Sequence, residues 1–157
     1  MLEQRHITGL SVIDHIAMIT INHFPQTPQG VANLFSKLAE HEINIDMISQ
    51  TLLSDGLLNI SFTCNKEDYN QVEQVMHALK QQYPFFNVHA DLNVSKLSVV
   101  GLGMRSQSGV AAKIFHLLAD KNIPFQLVTT SEISISYTIP TQKVQESVHI
   151  ISEAFDL

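Results

Sequence analysis

Apolar residues recur along this chain in two spacings, and the order of those spacings occurs twice. Val31, Leu34, Phe35, Leu38 and Ala39 return every three or four positions, as do Ala111, Ile114, Phe115, Leu118 and Ala119. Each set predicts a helix with one buried stripe. Ahead of each helix an apolar run, Ile16 to Ile21 or Leu97 to Leu102, predicts a strand. The connecting loops hold Pro25, Pro28 and Gly30 in one case and Gly101, Gly103 and Gly109 in the other. After the first helix, Ile43, Ile45 and Met47 alternate with polar neighbours and predict a second strand. Ser54-Asp55-Gly56 then reads as a hairpin turn, and Leu58, Ile60, Phe62 and Cys64 alternate with Asn59, Ser61 and Thr63. In the second half a shorter hairpin leads into Ile133, Ile135, Tyr137 and Ile139. Helices near 67–82 and 141–155 close the two halves, with Val72, Val75, Met76 and Leu79 inward in one and Val144, Val148, Ile151 and Phe155 in the other. Asn65 and Thr141 are the expected N-caps.

The duplication is visible in the letters as well. GVANLFSKLAEHEINIDMISQT, from Gly30, and GVAAKIFHLLADKNIPFQLVTT, from Gly109, lie about 80 residues apart and align without a gap from Phe35 and Phe115 onward. One supersecondary unit therefore occurs twice, and such units usually pack together. Strand-helix-strand-strand-helix-strand is the order of a ferredoxin-like α/β sandwich, an antiparallel sheet with two helices on one face. The first half has its last strand near Phe86 to Asp91, whereas the second stops after its helix. Residues 6–13, His-Ile-Thr-Gly-Leu-Ser-Val-Ile, form a spare strand-like segment expected to complete the second sheet. The expected units are 15–94, and 95–157 plus 1–14, packed together.

Composition narrows the function. At 157 residues, 45% hydrophobic and 15% charged, the chain suits a folded globular protein. Eight Phe, three Tyr and no Trp leave the core to aliphatic side chains. Fifteen acidic against nine basic residues, a formal charge of −6, oppose nucleic acid as a partner. No run approaches the roughly 18 apolar residues of a membrane span, and the first 20 residues lack a signal-type core. The lone Cys64 suits a reducing, cytoplasmic setting.

Catalytic machinery is not evident. His6, His15, His23, His41, His77, His89, His116 and His149 show no metal-type spacing and read as surface residues, so no metal is expected. Cys64 shares the apolar register of its strand and reads as a buried thiol. Gly101, Gly103 and Gly109 do not complete a dinucleotide fingerprint, because position 106 is Ser. What does occur twice is a loop entering a helix N-terminus, around Gly30 to Ala32 and Gly109 to Ala111, where free N–H groups suit a carboxylate. Asn44, Asp46 and Gln50 follow nearby in sequence. Together these groups could hold a free amino acid, with its ammonium on Asp46. On spacing alone, a solvent-facing position is the favoured reading of Asn44 and Asp46.

Larger pieces carry a resemblance. INIDMISQ (43–50), LNISFTC (58–64), KLSVVGLGMRSQSGVAAKIFHLLA (96–119), VTTSEISIS (128–136) and EAFDL (153–157), with HITGL (6–10), closely resemble the C-terminal regulatory region of aspartate kinases, a pair of ACT domains. The likeness implies a module that binds lysine and/or threonine and feeds inhibition back on ATP-dependent aspartate phosphorylation in lysine, threonine and methionine biosynthesis. It also implies a homodimer through the ACT sheets, with effectors at the interface between units. A catalytic domain or subunit would be the partner and would hold ATP and Mg. With no catalytic residues of its own, the chain is expected to be inactive alone, whether as a regulatory fragment or as a β-type subunit. Carried across, the effector contacts fall on Gln26, Gln29, Gly30, Val31, Asn44, Ile45, Asp46 and Gln50. The second unit's counterparts are Val110, Ala111, Pro124, Phe125 and Ser131. Where many relatives have Pro-Asp-x-Pro-Gly this chain has Pro25-Gln26-Thr27-Pro28-Gln29, and Pro124-Phe125 stands where Asn-Ile is common. Other readings are an ACT sensor for a different biosynthetic enzyme, or a small ferredoxin-like enzyme using Asp46 or Glu132 as base. An RNA-recognition module fails on charge and on the absence of paired aromatics in its central strands.

Overall fold

Both predicted first strands prove to be parts of much longer ones. In the computed structural model, which describes residues 7–101 and 108–157, strand β1 runs Ile7–Pro25 and absorbs the segment that precedes the first apolar run. Strand β4 runs Asn87–Gly101 and joins the last strand of the first half to the first strand of the second. Between them lie helix α1 (Pro28–Glu40), strands β2 (Ile48–Leu52) and β3 (Leu57–Asn65), and helix α2 (Tyr69–Gln82). Helix α3 (Ser108–Asp120), strands β5 (Val128–Thr130) and β6 (Ser134–Pro140), and helix α4 (Val144–Phe155) follow. Gly103, Ser106, Leu102 and His6 lie outside the described residues.

The chain divides into two compact units, one of His15–Leu92 and one of Asn93–Leu157 with the described residues up to Asp14. In the first, the strand order is β2-β3-β1-β4, that of a ferredoxin-like sheet. In the second, the order is β5-β6-β4-β1, so residues 7–14 take the place of the missing fourth strand. Thr8 Oγ1 donates to the Val100 carbonyl at 3.3 Å, and Ser95 Oγ to Asp14 Oδ1 at 2.8 Å.

The first core is built from Ala17, Ile19, Ile21 and Phe24 of β1, Leu34 and Leu38 of α1, alternate residues of β3, and Val72, Val75, Met76 and Leu79 of α2. Simple alternation would put His23 inside after Ile21. Instead the register with β3 shifts between Ile21 and Phe24, and His23 takes φ 62 while its N–H donates to Asn59 Oδ1 at 3.1 Å. This bulge turns the polar residue out and Phe24 in. In the second core Tyr137 and Ser147 are buried, and their hydroxyls have no partner among the described residues. Burial raises the Tyr137 phenol well above its ordinary range. Val144 and Val148, expected inside, are half-buried at the margin of this core.

Two local expectations are corrected. Asn65 and Thr141 do not cap helices through their side chains. Single 3-10 turns, Lys66–Asp68 and Thr141–Lys143, intervene before α2 and α4, and Thr141 Oγ1 instead pairs with Ser95 Oγ at 3.0 Å. Residues 43–47 are not strand, and β2 begins only at Ile48. The reason is the helix exit. Glu42 takes φ 56, its N–H bonds the Ala39 carbonyl, and the Ile43 N–H bonds that of Leu38, a Schellman ending that turns the chain before any ladder can start. Asn122 and Ile123 close α3 in the same way on Ala119 and Leu118.

A left-handed non-glycine residue carries a steric cost that glycine avoids, so Glu42→Gly is expected to raise stability by about 1 kcal/mol. Urea unfolding with an unchanged m-value checks this, and a lower midpoint would contradict it. Cys64 is buried in β3, and burial first, then the nearby Asp68 carboxylate, pushes its thiol from 9.0 to about 11. Because the folded-state value is the higher one, this contribution to stability is intact below pH 9.0 and is lost as pH rises toward about 11. Folded chain at pH 8 should therefore react with a thiol reagent far more slowly than chain in denaturant, as thiolate release assays would show.

Candidate functional site

The loop that enters α1 is closed by its own side chain. Thr27 lies in extended backbone, and its Oγ1 accepts the Gly30 N–H at 3.0 Å while its carbonyl accepts the Val31 N–H at 3.2 Å. Pro28, at the first helical position, has no N–H to offer. The amides of Gly30 and Val31, expected to receive a ligand carboxylate, are thus already satisfied, which corrects that expectation. Thr-Pro followed by a helical stripe was the available signal for this cap. Gly30 is buried, and a Cβ there would stand 2.9 Å from Thr27 Oγ1, so its glycine serves close packing. Gln26 and Gln29 are exposed, and the Gln26 N–H donates to the Gly56 carbonyl at 3.1 Å.

The second polar group sits at the far end of the same helix. Asn44, Ile45 and Asp46 occupy the coil after α1, with the Asn44 and Asp46 side chains exposed and Ile45 packed on the core margin. Thr63 pins this coil to β3. The Asp46 N–H donates to the Thr63 carbonyl at 3.1 Å, the Thr63 N–H to the Met47 carbonyl at 3.0 Å, and the Met47 N–H to Thr63 Oγ1 at 3.0 Å. Thr63 is 1% exposed, a polar residue on a strand whose pattern gave no hint of this role. Gln50 is exposed on β2, opposite Ile60.

These two groups do not meet inside the unit. Helix α1 has 13 residues, so its ends lie about 20 Å apart, with Gln26, Gln29, Gly30 and Val31 at one and Asn44, Ile45 and Asp46 at the other. Closeness in sequence therefore misled the expectation of a single cluster.

The second unit repeats the clamp but not the side chains. The Gln126 N–H donates to the Thr138 carbonyl at 3.1 Å, the Thr138 N–H to the Leu127 carbonyl at 3.0 Å, and the Leu127 N–H to Thr138 Oγ1 at 3.0 Å. Pro124 is exposed and has no N–H. The Phe125 ring stacks on Phe115 with centroids 4.7 Å apart and packs against Tyr137 at 6.4 Å, so it belongs to the core. Ser131 serves its own turn, its Oγ 3.0 Å from Ser134 Oγ and accepting the Ile133 N–H at 3.3 Å. Val110 and Ala111 are half-buried on α3. The seven described histidines are exposed, and no group of three or more metal-type side chains gathers among the described residues. Asp46 and Glu132, which an acid-base enzyme would need in a desolvated pocket, are both exposed. No helix among the described residues is long and apolar enough to cross a membrane.

Removing the Thr27 cap should cost about 1 kcal/mol in Thr27→Ala. Gly30→Ala should be costly in the native background and cheaper once Thr27 is alanine, because the atom it would strike is gone. A double-mutant cycle of unfolding free energies tests this, and simple additivity would refute it.

The model of the ACT domain family matches residues 22–79 and 97–155, one match in each half of the chain. An aspartokinase of Corynebacterium efficiens is 36% identical over 158 residues, which cover 99% of this chain and 38% of that relative. The chain thus spans about two fifths of the curated relatives it matches. Among solved structures, the regulatory subunit of aspartate kinase from Thermus thermophilus in its ligand-free form superposes with TM-score 0.87 at 26% identity, covering 96% of this chain and 99% of that one. A chain from a structure of aspartokinase alpha and beta subunits superposes at 0.86 with 34% identity and the same two coverages. With its two repeats, its sheet orders and its likeness to whole regulatory chains, this protein belongs to the ACT domain family, as a regulatory ACT region of the aspartate kinase type.

Proposed function

We propose that the chain senses lysine and/or threonine and passes that signal to an aspartate kinase catalytic domain or subunit. The observation that carries the reading is its end-to-end likeness to a complete regulatory subunit. The relative solved as alpha and beta subunits supports a catalytic partner for this chain too. ATP-dependent phosphorylation of aspartate would belong to that partner, in the cytoplasm, with ATP and Mg bound there.

The effector contacts in this proposal are the side chains of Gln26, Gln29, Asn44, Asp46 and Gln50, with backbone at Ile45; the Gly30 and Val31 amides are already taken by Thr27. Since the first two and the next two lie about 20 Å apart along one unit, a site using both needs a second copy of the chain. A homodimer through the ACT sheets supplies it. Exposed Ile48 and Leu52 on the edge strand β2 are compatible with such pairing. Asp46 meets the ammonium, and Gln50 faces the effector side chain. The second unit has Pro124 and Gln126 where the first has Asn44 and Asp46, so its site, with Val110, Ala111, Phe125 and Ser131, is the weaker. An effector that favours one arrangement of the dimer shifts the kinase toward its inhibited state, and a coupling of about 1–3 kcal/mol gives roughly 5–150-fold control.

Calorimetric titration with lysine, threonine and methionine tests this. Saturable binding of lysine or threonine, abolished by Asp46→Ala, is the expected result. Heat with none of the three would remove the sensor reading and leave an assembly role.

A further inference from the structure

The clamp that Thr63 makes on residues 46–47 occurs again at Thr138, bond for bond, yet the two clamped coils carry different chemistry. At Thr63 the coil presents Asn44 and Asp46 to solvent, and at Thr138 it presents Pro124, an inward Phe125 and Gln126. Both threonines are buried, at 1% and 0% exposure. Their neighbours on the same strands, Ser61 and Ser136, instead pair with hydroxyls of the adjoining strands, Thr20 at 3.2 Å and Ser98 at 2.7 Å. Thr63 and Thr138 use a side chain to hold the coil that leaves a helix.

We infer that Thr63 is a positioning residue for effector binding, holding the Asn44–Asp46 coil in the conformation that receives the amino acid. This rests on the sensor reading given above. The coil has no ladder of its own, since β2 starts at Ile48, and the Schellman turn releases the chain at Ile43. Between those points three hydrogen bonds fasten it to Thr63. Valine at position 63 keeps shape and burial but leaves the Met47 N–H buried without an acceptor, and the coil must rearrange to satisfy it. Serine keeps the acceptor. Thr138 supplies a control inside the same molecule, because the same lesion there disturbs a coil that lacks the asparagine and the carboxylate.

The test uses the full chain, calorimetric titration with L-lysine and L-threonine, and thermal unfolding of Thr63→Val, Thr63→Ser and Thr138→Val. Both valine variants are expected to lose comparable thermal stability. Thr63→Val should weaken the dissociation constant of the first unit's stronger site about tenfold or more, Thr63→Ser should stay within about threefold, and Thr138→Val should leave that constant unchanged. An unchanged constant in Thr63→Val overturns the assignment, and so does equal weakening in Thr138→Val, which would mark general destabilisation. If Thr63→Val does not fold, amide exchange of the native chain decides. Saturating effector should slow Asp46 and Met47 by about tenfold more than Gln126 and Leu127, and equal slowing overturns the proposal. Native chain that binds neither amino acid removes the sensor reading and this role with it, whereas native binding with an indifferent Thr63→Val removes the positioning role alone.

Discussion

A strand edge cannot be left with its N–H and C=O groups buried and unpaired, and this requirement organises the whole molecule. Among its described residues the second unit contributes β4, β5 and β6 from its own stretch of sequence, one strand short of a ferredoxin-like sheet. The missing strand comes from residues 7–14, which precede the first unit and continue into it as the same strand. Strand β4 likewise serves the first unit to Leu92 and the second from Asn93. Neither unit can therefore be excised by a single cut, because each owns part of a strand whose remainder belongs to the other.

Around that frame the two repeats solve the same local problems identically and then diverge in surface chemistry. Each first helix ends in a left-handed residue, Glu42 or Asn122, and each exit coil is fastened by a buried threonine hydroxyl, Thr63 or Thr138. Those are backbone demands, indifferent to what the coil displays. The display differs: polar Asn44 and Asp46 in one repeat, Pro124 and the core-packed Phe125 in the other. Duplication of a scaffold with unequal decoration leaves the chemical difference between the repeats in short coils held by rigid strands, and the proposed stronger first site rests on that difference.

The helix start shows the opposite relation between scaffold and ligand. Free amide groups at an α-helix N-terminus suit an anion, but Thr27 consumes two of them and Gly30 is glycine because the threonine hydroxyl stands where a Cβ would go. This helix start is a structural joint, and the exposed polar side chains lie at the two ends of α1, where the proposed recognition of an amino acid would use them.

Composition, periodicity and the internal repeat were enough to determine the element order, the duplicated ferredoxin-like fold and the inward residues of α2, because burying an apolar stripe is a local demand written at fixed spacing. Counting elements was also enough to require a donated strand. Spacing could not reveal that His23 sits on a bulge, that residues 43–47 are coil, or that Asn65 and Thr141 do not cap, since those follow from which partner each backbone group finds. Nor could it show that Gln26 and Gln29 lie a helix length from Asn44 and Asp46, because adjacency in sequence says nothing of which end of a helix a loop occupies. Tertiary structure alone decided those points, through hydrogen bonds such as those of Thr27 and Thr63 that join residues the chain keeps at either end of a turn or a strand pair.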